Sequence, residues 1–229
     1  MTTIKKESPM HWSDAVNSSL ACIVKIETPT GHGTGFLCFD NPKKSMVAIA
    51  TAGHVIFHAD KWMEPIRIYT HDGSKSLLLK ANERHITMGN LSDSAVILFS
   101  KAQTLFEKTK PLPLLDQEYV LRVGTQVGWI GFPTLEPDTP CFFSGTISAR
   151  KDNAYLIDGV AINGVSGGPV LYIDEEEQTR VVGTVSAYRM NKTTQDTLPG
   201  LLIAQDLSLF HDVLTHIRTV EENLPPSDG

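Results

Sequence analysis

A chain of 229 residues, 41% hydrophobic and 20% charged, has the composition of a soluble globular protein and is long enough to bury a core in one domain, or in two that share an interface. A formal net charge of −6 with no lysine or arginine cluster excludes nucleic acid and anionic membrane from the expected partners. Cys22, Cys38 and Cys141 are far apart without metal-ligand spacing and read as structural thiols of a reducing cytoplasm. No run approaches the roughly 20 apolar residues of a membrane span, and the basic pair near the N-terminus lacks the apolar run of a secretory signal.

Residues 1–21 are expected to form an N-terminal segment with a short helix through DAVNSSLA, capped by the Ser13 hydroxyl. Strands then dominate. In residues 22–105 the runs CIVKIET, TGFLCF, MVAIAT, IRIYT and AVILF are rich in β-branched and aromatic residues and bounded by turn formers. Residues 106–118, FEKTKPLPLLDQE, interrupt the pattern with two prolines and mixed charge and read as a linker. Residues 119–206 resume it with QVGWI, AYLID, PVLYI, RVVGTVSA and LLIAQ, so each half holds enough strands to close a small barrel. In residues 207–218, Leu207, Phe210, Leu214 and Ile217 recur at helical spacing and predict an amphipathic helix. The acidic, proline-bearing segment 219–229 is expected to be disordered.

One stretch carries chemistry. In GVSGGPV, Gly164–Val170, a serine stands among three glycines, which free the backbone for close approach to another molecule, although a plain turn would use the same residues. A serine hydroxyl is a weak nucleophile and needs a base within reach and a group to orient that base. His54, in IATAGHVI, stands at the end of an apolar strand where Ala52 and Gly53 leave room for an imidazole. Asp93, in NLSDSAVILF, precedes another apolar strand, where a partly buried carboxylate can hold an imidazole by its Nδ1 proton. His54, Asp93 and Ser166 follow one of the chain orders in which such triads occur. Other titratable groups have plainer readings. His54 and His58 are four apart, but a zinc motif would need a glutamate where Val55 stands. His32, His71 and His85 lie in loop-like polar surroundings, Asp158 and Asp174 at strand ends or turns, and Asp174–Gln178 at a solvated hairpin tip. No metal or cofactor is expected.

GTGF at Gly33–Phe36, TAGHV at Thr51–Val55, SDSAVI at Ser92–Ile97 and GVSGGPV together resemble the chymotrypsin-like serine proteases of the trypsin fold, nearer their bacterial HtrA-like branch than the secreted digestive enzymes. The resemblance implies an all-β fold of two six-stranded antiparallel barrels with a short N-terminal helix and a C-terminal helix. His54 and Asp93 would stand on the first barrel and Ser166 on the second. It further implies a serine endopeptidase working through an acyl-enzyme, with the amides of Gly164 and Ser166 as oxyanion hole. Val185, Ser186, Ala187 and Tyr188 would pair with an extended substrate backbone, Ser186 lying near Asp93 and Tyr188 narrowing the specificity pocket. Gly200, in LPGLLIA, would help close that pocket. Val160, six residues before the nucleophile, would lie at its base, so a small or medium apolar P1 side chain is expected in place of lysine or arginine.

Departures from the family carry meaning as well. Val165 replaces the aspartate with which digestive enzymes pair a newly cut N-terminus, and the asparagine usual in the HtrA-like branch, so activation by trimming is not expected. Val55 replaces the cysteine of secreted relatives, in keeping with a cytoplasmic chain. No PDZ-like region is expected to follow. The implied partner is a protein or peptide substrate. Two alternatives stay open: an enzyme latent until an activating partner orders its oxyanion loop, and a protease-fold binding module with little turnover.

Overall fold

The structure is a computed structural model that describes residues 11–41, 46–100, 105–106, 109–160, 162–190 and 197–222; the side chains of residues 40, 41, 187–190, 197–199, 221 and 222 lie outside that description. The first half contributes strands β1 (Ile23–Thr28), β2 (Gly31–Asn41), β3 (Met46–Thr51), β4 (Ile66–Thr70), β5 (Ser76–Leu79), β6 (Arg84–Met88) and β7 (Ala95–Ser100). The second contributes β8 (Gln126–Gly131), β9 (Cys141–Lys151), β10 (Ala154–Asp158), β11 (Pro169–Ile173), β12 (Thr179–Met190) and β13 (Thr197–Gln205). Helices α1 (Trp12–Ser19) and α3 (Ser208–Glu222) flank the strands, and α2 (Gly53–Lys61) follows β3.

The second set of strands closes into a six-stranded barrel in the order β10-β13-β12-β11-β8-β9. The first set departs from expectation. It is a seven-stranded sheet, β5-β4-β1-β2-β3-β7-β6, open at β5 and β6 among the described residues. Its strand β3, flanked by β2 and β7, is buried from Val47 through Thr51, and such a strand reads as an unbroken apolar run. The strands the sequence conceals, β5, β6 and β9, are mostly half-exposed, so little apolar alternation marks them.

Both terminal helices differ in detail from the expected ones. Helix α1 begins one residue before Ser13, with His11 at the cap, and the Asp14 carboxylate accepts the His11 backbone N–H at 3.3 Å. That reach-back answers an amide at the helix start, so Ser13 is not needed as the cap. Helix α3 starts at Ser208, whose N–H donates to the Asp206 carboxylate at 3.1 Å, and it continues through residues expected to be irregular as far as Glu222.

The two sheets share one core. Between them the connecting segment pairs with both: the Leu112 N–H donates to the Leu37 carbonyl at 3.1 Å, and the Leu115 N–H to the Val181 carbonyl at 2.8 Å. The terminal helices cross over. Trp12 of α1 packs on Phe142 of β9, with ring centroids 5.4 Å apart. Phe210 of α3 meets Phe36 of β2 edge to face at 6.1 Å. Phe210 is fully buried, so Phe210→Ala is expected to cost about 3–5 kcal/mol, read as a lower urea midpoint at unchanged m-value.

Candidate active site

Strand β3 ends at Thr51, and after Ala52 the chain turns directly into α2. The expectation that His54 ends a strand is corrected by this turn: His54 stands in the first turn of a nine-residue helix. Gly53, Ile56 and Ala59 bury one face of α2, which leaves the His54 side chain about half exposed (52%). Ala52, at the cap position, has no side-chain acceptor for the first-turn amides. Asp93 supplies one. Its Oδ1 accepts the His54 backbone N–H at 2.8 Å, while its Oδ2 lies 2.7 Å from His54 Nδ1 and accepts the Ser186 hydroxyl at 2.6 Å. An ionised carboxylate can only accept, so Nδ1 carries the proton and Nε2 of the neutral ring is left as a base.

The same contacts set the titration of the pair. Burial alone would raise the Asp93 carboxyl, but hydrogen bonds from His54 and Ser186 outweigh it and hold its pKa below the ordinary carboxylate value. The hydrogen bond to Asp93 raises His54 above the usual imidazole value, against the opposing effect of partial burial.

Ser166 stands in a loop that only glycine can build at two places. Gly164 and Gly167 have φ of +91° and +89°, and a Cβ on Gly167 would sit 2.0 Å from the Thr34 carbonyl oxygen. The loop is bound on all sides: the Gly167 N–H donates to the Val185 carbonyl (2.7 Å), the Val185 N–H to the Gly168 carbonyl (2.9 Å), and the Gly168 N–H to the Val165 carbonyl (3.0 Å). From the first sheet, the Thr34 N–H donates to the Ser166 carbonyl at 2.8 Å. Among the described residues, the N–H groups of Gly164 and Ser166 donate to no backbone carbonyl. Two amides of the serine loop are thus uncommitted.

Strand β12 brings the loop to Asp93 through an irregularity. Pairing with β13 shifts register between Val185 and Ala187, leaving Ser186 as the extra residue of a bulge, a device that re-aims a side chain. The Ser186 hydroxyl reaches Asp93, and its carbonyl accepts the Ser166 hydroxyl at 3.1 Å. His54, Asp93, Ser186 and Ser166 therefore form one connected cluster spanning both sheets. In this conformation the Ser166 hydroxyl donates its proton to the Ser186 carbonyl.

The remaining residues singled out in the sequence fall as follows. Val185 is buried, and both its backbone groups are spent on the Ser166 loop. Ala187 and Tyr188 pair with Ile203 and Leu202; the expected narrowing of a pocket by Tyr188 rests on a side chain outside the described residues. Gly200, at φ +102°, accepts the Gly159 N–H at 3.1 Å. Val160 is half exposed. His58 pairs with Glu64 at 3.0 Å. Of the histidines expected in loops, His71 lies in a turn, whereas His85 lies in β6 and His32 in β2; His32 has a buried Nε2 with no partner among the described residues.

Sequence reasoning missed two residues of this site, Thr34 and Thr134. The Thr34 hydroxyl accepts the Phe132 N–H (2.9 Å) and donates to the Gly164 carbonyl (2.8 Å). Thr134 donates both its N–H (2.7 Å) and its hydroxyl (2.9 Å) to the Asn163 carbonyl. The signal was slight: one hydroxyl between two glycines in GTGF, another just after Pro133.

Replacing Asp93 by Asn should lower the His54 pKa, because the carboxylate is the largest cause of its rise. An NMR titration of the His54 ring in both proteins measures this, and an unmoved or higher midpoint in Asp93→Asn would contradict the geometry.

Neither a family model nor a curated protein sequence matches the chain. Among solved structures, the crystal structure of the serine endoprotease from Yersinia pestis is similar with a TM-score of 0.64 at 21% identity, over 92% of this chain and 67% of that one. With the closed barrel and the open seven-stranded sheet beside it, that likeness shows that the chain has a trypsin-like protease fold.

Proposed function

We propose that the chain is a serine endopeptidase in which Ser166 is the nucleophile, His54 the general base and acid, and Asp93 the group that orients His54. The observation that carries this reading is the hydrogen-bonded pair His54–Asp93, joined through Ser186 to a serine hydroxyl. The reading requires the Ser166 hydroxyl to leave the Ser186 carbonyl and donate to His54 Nε2. The oxygen then attacks the scissile carbonyl as His54 takes its proton, and Asp93 stabilises the imidazolium that forms. Charge developing on the substrate oxygen is received by the two uncommitted amides, Gly164 and Ser166. His54 returns the proton to the leaving amine, and water hydrolyses the acyl-enzyme by the same steps in reverse order.

The substrate class is protein or peptide. A small or medium apolar P1 side chain is favoured, since Val160 offers no carboxylate to pair with lysine or arginine. A second reading has one observation behind it: the Ser166 proton is directed to Ser186, as suits a latent enzyme that awaits a partner or a protease-fold binding module.

A fluorophosphonate probe separates these. The folded chain is expected to label at Ser166, Ser166→Ala to abolish labelling, and His54→Ala to lower turnover by at least about 10⁴-fold. Because the base must be unprotonated and its pKa is raised, the rate should climb with pH through a midpoint above the ordinary imidazole value of about 6.5. A folded protein that never labels would favour the second reading.

A further inference from the structure

Gly164 joins two peptide groups whose orientation decides what the site presents. At φ +91° this residue has no side chain to restrict it, so alternative backbone conformations are sterically cheap. Where its N–H receives the oxyanion, as proposed above, a flip of the peptide before it would present a carbonyl oxygen instead, which repels a developing oxyanion. In this chain the Val165 side chain is apolar and buried, and makes no hydrogen bond to hold the loop.

Both peptide groups are nevertheless gripped. In a trans peptide the carbonyl and the following N–H point in opposite directions, so fixing the Asn163 carbonyl fixes the aim of the Gly164 N–H. Thr134 fixes it twice, through its N–H at 2.7 Å and its hydroxyl at 2.9 Å. The peptide after Gly164 is fixed by the buried Thr34 hydroxyl, which donates to the Gly164 carbonyl at 2.8 Å and is itself held by the Phe132 N–H. The two threonines come from different elements, Thr34 from β2 and Thr134 from the loop after β8.

We propose that Thr34 and Thr134 are positioning residues that clamp the two peptide groups of Gly164 and so hold its N–H ready for the substrate oxyanion. The inference rests on the reading of Ser166 as a nucleophile, and it assigns to two neutral hydroxyls the task of setting the oxyanion loop.

The test measures fluorophosphonate labelling rates, and kcat and KM on an unfolded protein substrate, for Thr34→Val, Thr134→Val and the corresponding serine variants. Thr34→Val should slow labelling and kcat by about 10²-fold, as loss of an oxyanion donor does, with KM little changed. Thr134→Val keeps the backbone N–H and should lose about tenfold, the equivalent of one hydrogen bond. Thr34→Ser and Thr134→Ser should restore most of the rate, and the midpoint of the pH profile should not move in any variant. Asp138→Asn is the control: it removes the charge from the same loop's tie to Lys25, 2.7 Å away at the surface, without touching the clamp, and should label like the parent.

Folded valine variants that label as fast as the parent would overturn the proposal, as would a loss in Asp138→Asn equal to that in Thr134→Val. If the parent itself does not label, the reading of a constitutively active peptidase fails, and the clamp is then judged by the Gly164 amide resonance. Exposed Thr134 can be replaced with little risk to folding. A shifted, faster-exchanging Gly164 amide in Thr134→Val would sustain the clamp; an unmoved one would refute it.

Discussion

The Thr34 N–H donates to the Ser166 carbonyl across the boundary between the two sheets, at 2.8 Å, and everything else in the site takes its position from that junction. The proposed base, His54, stands on α2, which follows β3 of the first sheet, and the serine stands on a loop that leads into the closed barrel. Proton transfer requires donor and acceptor at hydrogen-bond distance, and misplacement by an ångström costs orders of magnitude. The sheets therefore have to dock in one arrangement. Thr34 enforces that arrangement with two groups, its N–H binding Ser166 and its hydroxyl binding Gly164 and Phe132, while its carbonyl is held within the first sheet by the Thr51 hydroxyl at 2.7 Å. The absence of a side chain at Gly167 permits the approach, since any Cβ there would collide with the Thr34 carbonyl.

Asp93 makes the second junction. It lies just ahead of β7 in the first sheet, yet one of its three donors is Ser186 from the barrel. A carboxylate losing water would normally become harder to ionise; here the donors reverse the tendency. Ionisation of Asp93 and docking of the sheets are thus coupled, because the bulge that aims Ser186 exists only within the paired barrel strands. The folded pKa of Asp93 is lowered, so its contribution to stability is present above the ordinary carboxylate value and is lost as pH falls through the folded value. His54 runs the other way. Its raised pKa gives a contribution that is full below the ordinary imidazole value and disappears as pH rises through the folded one.

How much of this was legible depends on how far each feature is local. The strongly apolar strands and the C-terminal helix carry their own periodicity, and the linker carries its prolines. The residues His54, Asp93 and Ser166 were legible as types in suitable company, and the resemblance in four short motifs pointed to the trypsin-like fold. Helix α2 was hidden, because its cap is not the neighbouring Ala52 but a carboxylate 39 residues away. Strands β5 and β6 were hidden because they are half-exposed edges, and with them the opening of the first sheet. Thr34 and Thr134 were hidden for a different reason. A threonine hydroxyl has no sequence context that reveals a carbonyl 130 or 29 residues away.

Val165 then gains a physical account. A Cβ on Gly131 would meet Val165 Cγ1 at 2.8 Å and the Thr34 hydroxyl at 2.9 Å, so the valine is seated against a strand with no room to spare. Overpacking or emptying such a position costs stability in either direction, which makes the seat specific without any charge. With apolar contact and neutral hydroxyls on one side, and the His54–Asp93 pair on the other, the labour of the site is divided. The serine loop is held by interactions that neither titrate nor respond strongly to salt. The charge of the proposed site is carried by the His54–Asp93 pair, and a second imidazole, that of His32, meets the loop itself, its Nε2 2.7 Å from where a Cβ on Gly164 would stand.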